Sequence, residues 1–311
     1  METPEILIVG AGGMGALFGA ILQSGGLKVS LYDTDMDHVG AMNRNGLEIT
    51  GFGGDRTVAI PSTSDPRSIE SANLLLFQCK AHETVGAARA VRHLTDKGAL
   101  CISFQNGLGN EETIADVVGA DKVLGGLTAM AGRKLGPGRI RDYSRVPSWI
   151  GEMAGGSSTR AESIARDFTA AGLETHASTD IRREIWKKLL GNIAMSALSG
   201  ATNLTSAACL AIPDLRQTSI RAVDEALAVA ASQDIGIDRD EALAGLDLIT
   251  KPGGTGDSKS SLCVDLLNRR RSEVDHIYGS VIGLARDSGI PVPTLETLAS
   301  IVKGLESHYL D

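Results

Sequence analysis

Two groups of residues in this sequence have the types and spacing for chemistry. The first is Gly10-Ala11-Gly12-Gly13-Met14-Gly15, a GxGxxG pattern that directly follows the apolar run Glu5–Val9. Between a strand and a helix, such glycines permit a tight turn at Gly10, close approach of the backbone to a pyrophosphate at Gly12, and close helix–strand packing at Gly15. Free N–H groups at the helix start then face the phosphate charge. The pattern alone also fits an ordinary glycine-rich turn, and it is the position after a strand that favours dinucleotide binding. Asp33 ends the second apolar run, about twenty residues further on, where a carboxylate accepts hydrogen bonds from ribose hydroxyls and repels a 2′-phosphate. No Arg or Lys lies between Leu31 and Asn43, and Arg44 falls just beyond. NAD is therefore the expected cofactor, with NADP as the alternative. The competing role for Asp33 is a helix N-cap, since Asp35 and Asp37 follow it. Gln78-Cys79-Lys80 and Gln105-Asn106-Gly107-Leu108-Gly109 also close apolar runs. Ligands of open α/β sheets bind at the carboxyl ends of strands, so Lys80 and Asn106 are expected to point into the cofactor crevice. A solvated loop lysine is the competing reading of Lys80.

The second group is Lys188, Asn192 and Ser196, spaced i, i+4, i+8 and hence on one helix face. Their neighbours Leu189, Leu190, Ile193, Ala194, Ala197 and Leu198 are apolar, so the helix is expected to be largely buried. Three polar groups on a buried stripe need partners or a ligand. A lysine there has a proton affinity easily shifted toward neutrality, which suits a general acid. Ser260-Ser261 is expected to begin a later helix, with Glu273 and Asp275 downstream. On one straight helix Ser261 and Glu273 would lie about 18 Å apart, so a ligand touching both requires a bend or reach from both side chains. The competing reading of Glu273 is a surface acid paired with Arg269 or Arg270.

The elements that must position these residues change character along the chain. Strands are expected at Glu5–Val9, Leu27–Tyr32, Leu74–Gln78, Ala99–Phe104 and Lys122–Leu127, with a short β excursion from Leu47 to Thr50. Helices at Ala16–Gln23, Met36–Asn45, about Glu83–Leu94 and Asn110–Val118 alternate with them, which implies a parallel sheet covered on both faces. Gly136 to Glu152 reads as short antiparallel strands, Ser158–Ala171 as a helix, and Leu173–Thr179 as a last extended piece. From Ile181 helical periodicity dominates, with breaks at Pro213, Pro252–Gly256 and Pro291–Pro293. The expected architecture is an α/β Rossmann-type N-terminal domain, residues 1–179, plus an all-α C-terminal domain, residues 180–311.

Composition narrows the function class. The 311 residues carry 30 basic and 38 acidic side chains, a net charge of −8. An acidic chain without long basic runs is poorly suited to nucleic acid, and Arg269-Arg270-Arg271 reads as a solvated helix face. No stretch is long and apolar enough to span a bilayer, and the N-terminus lacks the pattern of a signal peptide, so a cytoplasmic location is expected. Cys79, Cys101, Cys209 and Cys263 form no CxxC pair and no zinc-ligand spacing. They read as small buried apolar residues, and no metal is expected.

Taken together these residues resemble the ketopantoate reductase family, the 2-dehydropantoate 2-reductases and related 2-keto acid reductases, over nearly the whole chain. The resemblance is carried by Gly10–Gly15, Cys79-Lys80-Ala81, the Gln105–Gly109 segment, Gly125-Gly126-Leu127-Thr128 and the Gly136-Pro137-Gly138 turn. It continues through Trp186-Lys187-Lys188-Leu189 with Asn192, Ser260-Ser261, Ser272-Glu273-Val274-Asp275, and Gly289-Ile290-Pro291-Val292-Pro293-Thr294. The resemblance implies that Lys188 donates a proton to a ketone oxygen as hydride arrives, and that Glu273 holds the substrate hydroxyl and supports that lysine. It implies that Asn106 and Lys80 lie near nicotinamide, ribose and substrate, and that Asn192 and Ser261 bind substrate, as does Ser196 at the next turn of the helix. It also implies a helical substrate domain closing over the cofactor crevice, and a homodimer. Two departures stand out. Ser196 replaces an asparagine frequent in the family, and Asp33 stands where NADP-preferring members carry a basic residue. The expected activity is reduction of a 2-keto acid to a 2-hydroxy acid, with ketopantoate as the family default. The alternatives are an NAD-dependent dehydrogenase of another branched or aromatic 2-hydroxy acid and, from a different class, a non-catalytic nucleotide sensor.

Overall fold

The computed structural model describes residues 5–250 and 255–310. The chain separates into two compact units, one of residues up to Gln105 with Asn110–Arg182, the other of Asn106–Gly109 with Arg183 onward. Helices of the second unit therefore share it with four residues drawn from the middle of the first unit's sequence.

The first unit is built on β1 (Glu5–Val9), α1 (Gly13–Ser24), β2 (Lys28–Tyr32), α2 (Met36–Asn45), β3 (Leu47–Gly51), β4 (Arg56–Val58) and β5 (Ser62–Thr63). It continues with β6 (Leu74–Phe77), α3 (Thr84–Ala90), α4 (Arg92–Thr95), β7 (Leu100–Ser103), α5 (Asn110–Val118) and β8 (Val123–Thr128). The last elements are β9 (Ala131–Gly136), β10 (Arg139–Ser144), β11 (Ser148–Glu152), α6 (Thr159–Ala170) and β12 (Thr175–Ala177). Eight strands form one sheet in the order β12-β11-β8-β7-β6-β1-β2-β5. The six from β8 to β5 are parallel neighbours, and β11 pairs antiparallel to β8. Alternation along the buried strands feeds two layers. Ile6 and Ile8 pack into one core with Phe18, Leu31 and Leu76, while Leu7 and Val9 pack into another with Leu75, Phe77 and Val91. The strand order reverses between β1 and β6, and a crevice at the carboxyl ends of such strands is where open α/β sheets bind ligands.

Two expectations from the sequence are corrected, and the strands of a third divide between two sheets. The helix expected over Glu83–Leu94 is a 3₁₀ turn (Ala81–Glu83) followed by α3 and α4, separated at Val91. Val91 is β-branched and fully buried, and its backbone leaves the helical region where the side chain enters the core. The antiparallel strands expected from Gly136 to Glu152 form, divided between two sheets. The hairpin is β9–β10, in a second sheet of order β4-β3-β10-β9, whereas β11 joins the large sheet. The Arg269–Arg271 run is exposed as expected, but it lies in a turn where Arg269 has φ 52°, not on a helix face.

The second unit is helical: α7 (Ile181–Thr202), whose first two residues group with the first unit, α8 (Ser206–Ala211), α9 (Pro213–Ser232), α10 (Arg239–Thr250), α11 (Ser261–Leu267), α12 (Ser280–Asp287) and α13 (Pro293–Glu306). Pro213 and Pro293 stand in the first turns of α9 and α13, where a missing N–H costs nothing. The side chain of Val292 cannot cap α13, and the Glu225 carboxylate of α9 does so instead, accepting from the N–H groups of Thr294 and Leu295 at 2.9 Å each. The Pro252 break lies outside the described residues. A π-helical turn, Asp275–Gly279, leads into α12. Such turns are rare and cluster at functional sites.

Candidate active site

The glycine motif occupies the turn between β1 and α1. Gly10 has φ 95°, and its N–H donates to the Tyr32 carbonyl at 2.8 Å. A Cβ at Gly10 would strike the Cys79 backbone, and one at Gly15 would strike the Gly10 carbonyl, so only glycine lets loop, helix and β6 approach this closely. Gly13 lies against the Gly132–Arg133 backbone of β9, and Met14 packs on the core. Gly12 differs. It is the N-cap of α1, no side chain caps that helix, and the space a Cβ would fill has no atom within 4 Å. An uncapped helix start with open space beside Gly12 leaves room for a pyrophosphate, so the residues present fit a dinucleotide.

The Ala11 backbone is gripped from both sides. Its N–H donates to Asp33 Oδ2 at 2.7 Å, and its carbonyl lies 2.9 Å from His38 Nε2. Asp33 is not the helix N-cap. Asp35 caps α2 through the His38 N–H, and Asp33 accepts from the Asp35 N–H at 2.9 Å, tying the end of β2 to the glycine loop. Lys134 of β9 closes on Asp35 at 2.6 Å and holds that carboxyl below its usual range. Lys80 is half-buried just beyond β6, with its N–H on the Glu83 carboxylate. Gln105 ends the adjacent strand and locks it to β6, donating to the Cys79 carbonyl at 2.9 Å and to Thr84 Oγ1 at 2.8 Å.

In the second unit three side chains form one hydrogen-bonded chain. Lys188 Nζ donates to Asn106 Oδ1 at 3.0 Å, and Asn106 Nδ2 donates to Glu273 Oε2 at 3.1 Å. An amide between an ammonium and a carboxylate has only one sensible orientation, because turning it would set donor against donor and acceptor against acceptor. Asn106 is held by its own segment. Leu108 N–H donates to the His276 carbonyl at 3.0 Å, and Gly107, with φ 88°, lies so close to His276 that a Cβ would collide with it. Glu273 is 4% exposed, which excludes the surface-acid reading. The exposed i, i+4 pair of this region is Arg271–Asp275, at 3.7 Å.

Lys188, Asn192 and Ser196 do lie on one stripe of α7. Ser196 is buried, but Lys188 and Asn192 are half-buried, so the lysine is less sequestered than its apolar neighbours suggested. Between Asn192 and Ser196 the Tyr278 hydroxyl accepts from the Ala197 N–H at 3.0 Å and donates to the Ile193 carbonyl at 2.7 Å. Those two groups would pair with each other in an uninterrupted α-helix. Side-chain insertion of this kind bends helices. Burial raises the Tyr278 phenol well above its ordinary value, so the hydroxyl stays protonated and can serve both groups.

Ser261 is exposed in the first turn of α11, and it is Ser260 that caps that helix and also donates to the Ser196 carbonyl at 3.3 Å. The bend required between Ser261 and Glu273 exists: α11 ends at Leu267 and Arg269 turns left-handed. His38 and Tyr278 are the residues that reading the sequence missed. The signal for His38 was a lone histidine on the buried stripe His38, Val39, Met42 of an otherwise polar helix. Tyr278 carried no local signal beyond its aromatic bulk. Among the described residues no group of three His, Cys, Asp or Glu side chains could hold a metal, and no helix is long and apolar enough to cross a membrane.

Comparison with known proteins covers both units. The family model described as Ketopantoate reductase PanE/ApbA matches residues 6–155, and the corresponding C-terminal model matches residues 180–306. A 2-dehydropantoate 2-reductase of Halobacterium salinarum is 30% identical over 300 residues, covering 96% of this chain and 98% of that protein. A crystal structure of a PanE/ApbA family ketopantoate reductase from Ralstonia eutropha matches with TM-score 0.89 and 30% identity, over 98% of this chain and 99% of that one. A D-mandelate dehydrogenase solved with NADH and anilino(oxo)acetate shares the fold with TM-score 0.94 at 24% identity, over 98% and 99% of the two chains.

Proposed function

Because this chain belongs to the ketopantoate reductase family, and is thus a nicotinamide-dependent oxidoreductase acting on CH–OH groups, we propose that it reduces 2-dehydropantoate to pantoate with NADH, using Lys188 as the acid. When bound, the reduced nicotinamide supplies the hydride that adds to the keto carbon. Gly10–Gly15 and Asp33 hold the dinucleotide, the glycines through backbone N–H groups and Asp33 at the ribose. Lys80 contributes a positive charge at the carboxyl end of β6, beside the glycine loop. Lys188 gives a proton to the keto oxygen as negative charge builds there.

The Lys188–Asn106–Glu273 chain carries this reading. A lysine that donates to a fixed amide has its ammonium held at one place. The Glu273 carboxylate accepts from that amide and so keeps its oxygen turned toward the lysine, whose ammonium form is the starting acid the reaction needs. Asn192, one turn along α7, binds the substrate's polar end, with Ser196 beyond it; Ser261 is assigned to substrate by the family resemblance. Asp33 supports NADH over NADPH, because a 2′-phosphate would face its carboxylate.

Ser196 favours a second reading. A buried hydroxyl in place of an amide offers fewer hydrogen bonds to a small hydroxylated substrate. It suits a 2-keto acid with a larger apolar group, and the fold is one that a D-mandelate dehydrogenase also uses. One assay tests both readings. Purified protein is given NADH or NADPH with ketopantoate and with branched and aromatic 2-keto acids, and absorbance at the nicotinamide band is followed. Ketopantoate with NADH is expected to give the highest kcat/KM. A higher value with an aromatic keto acid establishes the second reading, a preference for NADPH removes the role given to Asp33, and no turnover with any acid removes both.

A further inference from the structure

We propose that His38 is a positioning residue of the dinucleotide loop, a buried imidazole that aims the Gly12 N–H by holding the Ala11 carbonyl. The proposal rests on the reading of Gly10–Gly15 as the cofactor loop. His38 is 0% exposed, on a helix whose other face is polar. A buried ring needs both nitrogens paired, and both are. Nδ1 accepts from the Gly138 N–H at 2.8 Å, and Nε2 lies 2.9 Å from the Ala11 carbonyl oxygen. A backbone N–H only donates and a carbonyl only accepts, so the partners themselves fix the tautomer: the ring is neutral and its proton sits on Nε2.

The consequence follows from peptide geometry. The Ala11 carbonyl and the Gly12 N–H belong to one planar trans unit and point in opposite directions. By drawing the carbonyl toward α2, His38 turns the Gly12 N–H the other way. Asp33 fixes the preceding peptide through the Ala11 N–H. Gly138 completes the clamp. It lies at the β9–β10 turn, packed so tightly on α2 that an added Cβ would sit 2.9 Å from Ala41 Cβ. One imidazole therefore ties the glycine loop and a hairpin of the second sheet to α2.

The same geometry makes the clamp sensitive to acid. A proton on Nδ1 would face the Gly138 N–H, donor against donor. The charged groups acting on the ring are Lys134 from β9, which opposes protonation, and Asp33 and Asp35 at the head of α2, which favour it. Burial is the largest influence, and the net effect places the ring below the ordinary histidine value of 6.5. An unfolded chain protonates His38 at that ordinary value while the folded ring stays neutral. The clamp's stabilisation is thus complete above about pH 6.5 and falls as pH drops toward the depressed native value.

Direct titration of NADH fluorescence tests the proposal, using wild type, His38→Phe and His38→Gln, each checked for a cooperative melt. Phe keeps ring volume and loses both hydrogen bonds. Gln offers one donor and one acceptor. The Kd for NADH in His38→Phe is expected to rise at least about tenfold, more than kcat falls at saturating NADH. His38→Gln is expected to recover most of the affinity and to lose the acid weakening expected of wild type as pH falls below about 6.5. A folded His38→Phe with wild-type Kd overturns the proposal. Should His38→Phe fail to fold, the pH series decides alone, and parallel weakening of wild type and His38→Gln overturns it. Wild type that binds neither NADH nor NADPH overturns the cofactor-loop reading itself, a result distinct from a binding wild type with an indifferent variant.

Discussion

The two compact units place their polar atoms in opposite ways. In the first, the atoms assigned to the ligand's phosphates are backbone N–H groups, and Asp33 and His38 orient the Ala11 peptide, with Asp33 also assigned to the ribose. In the second, the offered atoms are side-chain termini, Lys188 and its partners Asn106 and Glu273, and the backbone only carries them. A backbone site constrains size, since Gly10 and Gly15 have no room for a Cβ. A side-chain site constrains chemical identity, since an ammonium, an amide and a carboxylate must stand in that order. The first should therefore govern affinity for the dinucleotide and the second the rate of proton transfer.

Lys188→Ala offers the largest effect by which to break that division. Turnover is expected to fall at least about a hundredfold, in keeping with general-acid contributions, while the Kd for NADH stays within about twofold of wild type. Stopped-flow turnover and a fluorescence titration measure the two quantities on the same sample. An equal loss in both would erase the distinction between the units.

Asn106 sharpens the comparison, because its segment joins the second unit from the middle of the first unit's sequence. Asn106→Leu keeps the shape and removes both hydrogen bonds. It leaves Glu273, buried as it is, without that donor, and an expected cost of about 1–3 kcal/mol corresponds to a loss of about 5- to 150-fold in kcat/KM. Glu273→Gln is expected to cost less. A glutamine oxygen still accepts from Asn106 Nδ2, so the amide stays oriented and only the charge is lost. Steady-state kinetics of the two variants should rank them in that order, and the reverse order would show that Glu273 acts other than through Asn106.

The difference between the units also explains what could be read in the sequence. The glycine loop was legible because its constraint is local: strand, glycine-rich turn and helix are contiguous, and only glycine meets the steric demand at Gly10 and Gly15. The α7 stripe was legible for a similar reason, since helical periodicity alone places Lys188, Asn192 and Ser196 on one face. The link from Lys188 through Asn106 to Glu273 was not, because its bonds join residues 82 and 167 positions apart. The resemblance to a known family supplied the pairing of Glu273 with Lys188, but not the amide between them. His38 and Tyr278 were missed because each acts on the backbone of another element, and no spacing rule reports which backbone a buried side chain will meet. That the strands of Gly136–Glu152 divide between two sheets was not legible, because β11 has the composition of its neighbours and is claimed by the larger sheet only through pairing with β8.

Tyr278→Phe carries the smallest expected effect and the finest test. The substitution keeps the ring in its fully buried place and removes only the hydroxyl. Two hydrogen bonds are lost, yet Ile193 and Ala197 can then pair with each other as ordinary helix neighbours, so little remains unsatisfied. The net cost is expected to be about 1 kcal/mol, a fall in Tm of about 2–4 °C for a protein of this size. Re-pairing would change the Tyr278-bridged turn of α7 between Asn192 and Ser196, the stretch assigned to the keto acid. KM for the keto acid should therefore rise several-fold, while the Kd for NADH, set in the other unit, stays unchanged. Calorimetry gives the first quantity and steady-state kinetics the second. An unchanged KM beside a lowered Tm would make Tyr278 a packing residue only, and would move the control of substrate fit from the Tyr278-bridged turn of α7 to the side chains along it.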